Sequence, residues 1–483
     1  MEPDVGPNPG RPEAPRPGAV TGVQRHDLDA VATERLLAEA AARAARYVAQ
    51  TDARAVRPDA AAVADLERLR VPLPEEGSDP HEVIGLLDEA GSAATLASTS
   101  GRFFGFVMGG ALPVTLAANV LASAWDQNTA SGQATPGTAT LEAVALEWLV
   151  DLLGLPRGTG AGFVTGATVA NATALAAARH AVLQRAGWDV EADGLFGAPP
   201  IRVVVGGEVH PTVRKSLGLL GLGKDRVEVA GVDAQGRFRS DGLPRLDGPS
   251  IVILQAGNVN TGAFDPFAEV VPRAREAGAW VHVDGAFGLW AAASPELRHR
   301  VEGMERADSW ATDFHKWLNV PYDSGIALVR DPEPLRAAMA VTAAYLPEHT
   351  GRDPSDFTPE LSRRARGVEV WAALRRLGRA GVRELVERCC RHARRFAEGL
   401  REAGFEVLND VVLNQVLVSF GSPERTREVI HAIQEDGTCW CGGTVWQGRT
   451  AMRISVSSWA TTEEDVERCL EAMVRLGSAP QPG

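Results

Sequence analysis

The spacing of apolar positions changes twice along the chain, and each change predicts a different kind of structure. From about His26 to Gln50, and again from about Pro58 to Ala97, Ala and Leu are interleaved with charges at helical spacing, which predicts helices. The middle differs: short apolar runs closing on Gly or polar residues alternate with helical stretches. GAGFVTGAT (160–168), IRVVVGGEVH (201–210), DRVEVAGVD, SIVILQAGN, WVHVDGAFG, DSWATDFH and SGIALVRD are such runs. Apolar strands alternating with helices predict an α/β fold around a mostly parallel sheet buried on both faces. Residues 361–405 read as one or two long amphipathic helices. A smaller mixed pattern then closes the chain: FEVLND, NQVLVSFG, a helix from about Pro423 to Asp436, AMRISVSSW, and a helix from about Thr462 to Leu476.

The expected organisation is a disordered Pro- and Gly-rich tail over 1–22, an N-terminal helical segment over 23–100 and a large domain over 101–335. A loop with connecting helices over 336–395 and a small C-terminal α+β domain over 396–483 complete it. The tail lacks the apolar core of a signal peptide. Phe103 to Trp125 runs 23 residues without a charge, long enough to span a bilayer. Its glycines, Pro113 and the absence of a basic flank favour a buried loop leading into a core helix instead.

Charge and cysteine content narrow the partners. Of 483 residues, Lys plus Arg number 49 against 62 Asp plus Glu, a net charge of −13. With no basic run, nucleic acid and anionic membrane are excluded as expected partners. Five cysteines without paired CxxC spacing point to free thiols in a reducing cytoplasm, and no metal site is expected.

Only three lysines occur, Lys215, Lys224 and Lys316. A chain that uses Arg for surface charge has little reason to keep Lys except where an amine must react or lose a proton. Lys316 stands after a strand, between His315 and Trp317; it is either a reactive amine or a snorkelling side chain. Asp284 ends the apolar run WVHVD, where ligands bind in open α/β sheets; the alternative is a helix cap. A single cofactor, pyridoxal 5'-phosphate (PLP), would use both, a lysine for its aldehyde and an acid for its pyridine nitrogen. TGATVAN (165–171) turns from strand to helix, so Gly166, Ala167 and Thr168 could offer free N–H groups to a phosphate. His210 closes another strand, placed to stack on a ring opposite Ala286 or to sit hydrogen-bonded in the core.

TPGTATLEAVALEWLVDLLGLP, GFVTGATVANATALAAAR, GEVHPTVRKSLGLLGLG, VHVDGAFGLW, DFHKWLNVPYDSG and MRISVSSW together resemble the group II PLP-dependent amino-acid decarboxylases, the family of the aromatic L-amino-acid and glutamate decarboxylases. The resemblance spans roughly residues 100–475 in consistent order. It implies fold type I and a homodimer with active sites at the interface, to which the N-terminal helical segment contributes. It implies further that Lys316 forms the Schiff base, that Asp284 partners the pyridinium nitrogen and that His210 stacks on the ring near the scissile carboxylate. Ala286 packs on the opposite face, and Ala167, Thr168 and His315 surround the phosphate.

Tyr345, 29 residues after Lys316 in a Pro- and Gly-containing stretch, matches the loop tyrosine that protonates the substrate carbon in the aromatic enzymes. It predicts an amine product, whereas related aldehyde synthases carry Phe there; a tyrosine tethering a surface loop is the other reading. The sequence departs from the aromatic pattern at RFFGFVMGGALP and at QAGNVNTG, where Asn258 or Asn260 could contact the ring oxygen. Phe103, Phe104, Phe106 and Trp125 form either an apolar pocket favouring aromatic or apolar substrates, or core. Arg453 is either a carboxylate clamp, as an aminotransferase would need, or a surface residue. A PLP-responsive regulator would need a DNA-binding segment ahead of the PLP domain, and the N-terminal pattern shows none.

Overall fold

A computed structural model describes residues 29–341 and 351–480. The chain divides into two units, Met1–Leu96 and Ala97–Gly483. The first is built around the helix Ala30–Gln50, capped by the Asp29 side chain accepting from the Val31 N–H. None of this helix's residues is buried. It is tied by Arg43 to Glu39 and Asp88. The expected tail, residues 1–22, lies outside the described residues.

The second unit holds the sheets. Seven strands, β1 (Gly160–Val164), β2 (Arg202–Gly206), β3 (Glu228–Ala230), β4 (Ser250–Gln255), β5 (Trp280–Asp284), β6 (Ser309–Asp313) and β7 (Gly325–Val329), form one sheet. Its order is β1-β7-β6-β5-β4-β2-β3, and only β7 runs against its neighbours. Every residue of β4 and β5 is buried. Alternate side chains of β4 explain why: Ile251 and Ile253 enter one apolar layer, Val252 and Leu254 the other. The period of two in a strand thus feeds two cores, and the apolar run is continuous because both faces are covered by helices.

Register aligns the strand ends. Gln255 pairs with Asp284, and Asp284 with Ala311, so β4 and β5 finish level at one edge while β6 runs two residues further, to Asp313. The helix over Gly367–Glu402 breaks at Gly378, whose backbone (φ 59°, ψ −177°) is not helical. The small sheet contains β8 (Glu406–Val407), β9 (Gln415–Ser419), β10 (Gly442–Trp446) and β11 (Arg449–Ser455), ordered β10-β11-β9-β8. Its last helix, Glu463–Ser478, starts with a reciprocal capping box between Thr462 and Asp465.

The uncharged stretch from Phe103 to Trp125 is a loop followed by the helix Pro113–Trp125. That helix buries Thr115, Ala118 and Ala122 but leaves Val120, Leu121 and Trp125 exposed, so it is half core rather than core. Among the described residues, no helix is long and apolar enough to cross a membrane.

Candidate active site

The ends of β4, β5 and β6 and the loop after β2 open into one cavity of about 820 Å³. Lys316 reaches into it three residues past β6, its Nζ 2.8 Å from Asp313 Oδ2. The other Asp313 oxygen accepts the Ala167 N–H at 2.5 Å. The start of the helix Ala167–Arg185, expected to receive a phosphate, is therefore present with Gly166, Ala167 and Thr168 on the cavity wall, and its first N–H is bonded to a carboxylate. Gly166 is required there: a Cβ would lie 2.9 Å from His315 Cε1. His315 accepts the Ser324 N–H on Nδ1 at 3.2 Å and stacks on Tyr322, with ring centroids 4.2 Å apart.

Asp284 is only 4% exposed. Burial pushes its carboxyl pKa up, opposed by the nearby His210 and Lys316 charges. Its hydrogen bond within the protein comes from the Ala286 N–H at 3.2 Å. A buried carboxylate that accepts so little has capacity left for a donor inside the cavity, as a protonated pyridine nitrogen would be. With the amine of Lys316 on the same wall, the residues present fit PLP. His210 caps the helix Pro211–Leu219 and has Nδ1 2.7 Å from Thr212 Oγ1. Burial lowers its pKa and favours the neutral ring. Ala286 lines the same cavity.

Other expectations fare differently. Tyr345 lies outside the described residues. Of the four residues behind the expected apolar pocket, Phe106 alone lines the cavity. Phe103 stacks on Trp440 and Phe104 packs edge-on against Phe396, so both are core, while Trp125 ends its helix exposed. Asn258 does not face the cavity; its Oδ1 accepts the Asn260 and Thr261 N–H groups and its Nδ2 donates to Glu208. Asn260 does line it, accepting from Thr444 Oγ1 at 3.0 Å. Arg453 is a cavity residue rather than a surface one, donating to the Val259 carbonyl at 3.2 Å.

Sequence reasoning missed Asp313, Glu208, Tyr322 and the strand β10 with the turn after it, whose Thr444, Val445, Trp446 and Gln447 close one side. Asp313 and Glu208 each left a signal, an acid three residues before Lys316 and another two before His210.

Residues 93–421 match the family described as the pyridoxal-dependent decarboxylase conserved domain. The chain is 29% identical over 413 residues to tryptophan decarboxylase 1 of Oryza sativa, covering 77% of this chain and 79% of that protein. It is 30% identical over 379 residues to the L-2,4-diaminobutyrate decarboxylase of Rhizobium meliloti, covering 74% of each. The crystal structure of Oryza sativa TDC with PLP and tryptamine superposes with a TM-score of 0.85 at 25% identity, covering 93% of this chain and 98% of that one.

Proposed function

The chain belongs to the pyridoxal-dependent decarboxylase family and is a PLP-dependent amino-acid carboxy-lyase of fold type I; we propose that Lys316 carries the cofactor and that the product is the amine. One observation carries the assignment of the site: the Lys316 amine and the buried, under-bonded Asp284 carboxylate face the same cavity.

When bound, PLP supplies an electron-accepting ring that takes up the pair left as the bond between Cα and the carboxylate breaks. Asp284 holds the proton on the ring nitrogen, its negative charge made more effective by its burial. Asp313 keeps the Lys316 amine positioned at the strand end. Neutral His210 provides a flat face without adding positive charge, and Ala286 lets the opposite side approach closely. Gly166, Ala167, Thr168 and His315 border the place of the phosphate. Arg453 has no carboxylate partner among the described residues and serves to hold the substrate carboxylate. Tyr345 is assigned the proton delivered to the substrate carbon.

Phe106, Val107, Phe287 and Val445 line the cavity and suit an apolar or aromatic side-chain body, in keeping with relatives that include a tryptophan decarboxylase. The exposed Val120, Leu121 and Trp125 of one helix support a homodimer as the working form. All five cysteines are unpaired and buried, which fits a reducing cytoplasm. Mass spectrometry of PLP-loaded protein incubated with mixed L-amino acids tests the reaction: an amine lighter than its parent by one CO₂ is expected. Tyr345→Phe should move product from amine to aldehyde with cofactor binding intact; an unchanged amine yield would remove Tyr345 from the mechanism.

A further inference from the structure

We infer that Asp313 competes with the cofactor's phosphate for the start of the helix Ala167–Arg185, so that this chain holds PLP mainly through Lys316 and exchanges it readily with its surroundings. The inference rests on the decarboxylase reading of the same site and concerns how that site retains its cofactor.

Asp313 is the last residue of β6; it is 2% exposed and lines the cavity. Its Oδ1 accepts the Ala167 N–H at 2.5 Å, the first N–H of that helix. Packing fixes the carboxylate there. Oδ1 lies between Gly166 and Gly325, and a Cβ on either would stand 3.1 Å from it. A helix start is a natural seat for an anion, because its free N–H groups and the positive end of its dipole face outward. Here a side-chain anion has taken the first of those N–H groups. A phosphate beside Gly166, Ala167 and Thr168 therefore meets one donor already engaged and a neighbour that, when ionised, only accepts hydrogen bonds. Capping the helix does not ask for the charge, since the oxygen of an asparagine side chain would accept the same single N–H.

The groups around Asp313 sharpen the conflict. Its counter-ion is Lys316, whose Nζ lies 2.8 Å from Oδ2. Lys316 is also the amine assigned to the cofactor's aldehyde. Once tied to it, the nitrogen keeps at most one of the three N–H groups of an ammonium. Asp313 thus loses donors at the moment the phosphate arrives. His315 Nε2 is 3.6 Å from Oδ1, but burial lowers the pKa of that ring and favours its neutral form. Tyr322, stacked on His315, brings no positive charge. Arg453, the other Lys or Arg on the cavity wall, donates to the Val259 carbonyl in the loop after β4. Two anions side by side in a buried cradle repel more than they would in water.

The test compares PLP with 5'-deoxypyridoxal, which offers Lys316 the same aldehyde and carries a methyl group in place of the phosphate ester. Dissociation constants and release rates are read from the visible absorption of the bound form, with no substrate present. Wild type should hold PLP less than about thirty-fold more tightly than the analogue. Asp313→Asn keeps an acceptor for Ala167 and gives the phosphate an N–H. It should tighten PLP and slow its release by about ten-fold or more, the effect of exchanging one charged contact, while the analogue moves by less than about three-fold. A substitution that merely disturbed Lys316 would move both aldehydes alike. Equal shifts, or PLP held no more tightly by Asp313→Asn, would overturn the inference and leave Asp313 a holder of Lys316. Should that variant fail to fold, the wild-type ratio decides by itself, because a larger preference for PLP would overturn the inference as well. Uptake of neither aldehyde would instead refute the cofactor site, and the inference with it.

Discussion

The cavity has two unlike walls. One is the row of strand ends carrying Asp284, Asp313 and Lys316; the other is the hairpin of β10 and β11. Every residue of β5 and β6 is buried, and the strands lie inside a seven-stranded sheet with helices on both faces. In β10 only Trp446 is buried. Side-chain ties hold the hairpin instead: Trp446 and Gln447 to Glu208, Thr444 to Asn260, and Arg453 to the Val259 carbonyl. Groups that must keep a fixed geometry sit on the rigid wall, and the surface that chooses a side chain is fastened by bonds that single substitutions can adjust.

If that division holds, breaking the strand wall should remove chemistry and breaking the hairpin should only retune it. Lys316→Ala should abolish the visible absorption of bound cofactor and lower turnover by about 10³-fold or more; persistent colour would refute the assignment. Asp284→Asn keeps the shape and removes the charge. It should lower kcat by about 10²–10³-fold, measured at saturating cofactor so that weaker PLP binding is not mistaken for slower chemistry.

The rigid wall should also betray itself in stability. His282 lies on β5 two residues before Asp284 and is fully buried, its pKa lowered from 6.5 to about 3 by burial. Trp280 Nε1–H donates to Ser309 Oγ, leaving the hydroxyl proton for His282 Nδ1, while Nε2 lies 2.9 Å from Asn171 Oδ1. That chain fits only the neutral ring. The unfolded chain takes up a proton near pH 6.5 that the folded chain refuses until about pH 3. Stability is therefore full above pH 6.5 and declines as the pH falls towards 3, by about 2 kcal/mol between pH 6.5 and 5. Denaturant titrations across that range should show the slope in wild type and a shallower one in His282→Gln.

The same division explains what could be read from the sequence. The sheet was legible because burial on both faces writes an uninterrupted apolar run, and Asp284 and Lys316 stood out as polar residues ending such runs. Lys316 was conspicuous in a chain with three lysines. Of the hairpin, β11 was read within AMRISVSSW, but β10 leaves no comparable trace. Gly442 and Gly443 weaken the strand signal, and β10 is short and half exposed, so GGTVW reads as a loop. Phe103 and Phe104 stayed open between pocket and core for a related reason: an aromatic side chain reads the same in either place, and only the packing against Trp440 and Phe396 settles both as core, while Trp125 proves to be neither and is exposed. Asp313 was hidden by its position, since an acid three residues before a lysine also looks like a local ion pair.

The smallest expected effect isolates one tie. Thr444 Oγ1 donates to Asn260 Oδ1 at 3.0 Å, joining the middle of β10 to the loop after β4. Neither residue touches the groups assigned to bond breaking. Thr444→Val and Asn260→Ala should each leave kcat within about two-fold and raise KM a few-fold, because a hydrogen bond of this kind is worth about 1 kcal/mol. The double variant should be scarcely worse than either single one, since both remove the same contact; the shortfall from additivity is then about 0.5–1.5 kcal/mol. Additive losses would mean that the two residues meet the substrate separately. A fall in kcat as large as that of Asp284→Asn would mean that the hairpin belongs to the chemical wall after all, and the division between rigid chemistry and adjustable selection would fail where it is most exposed to test.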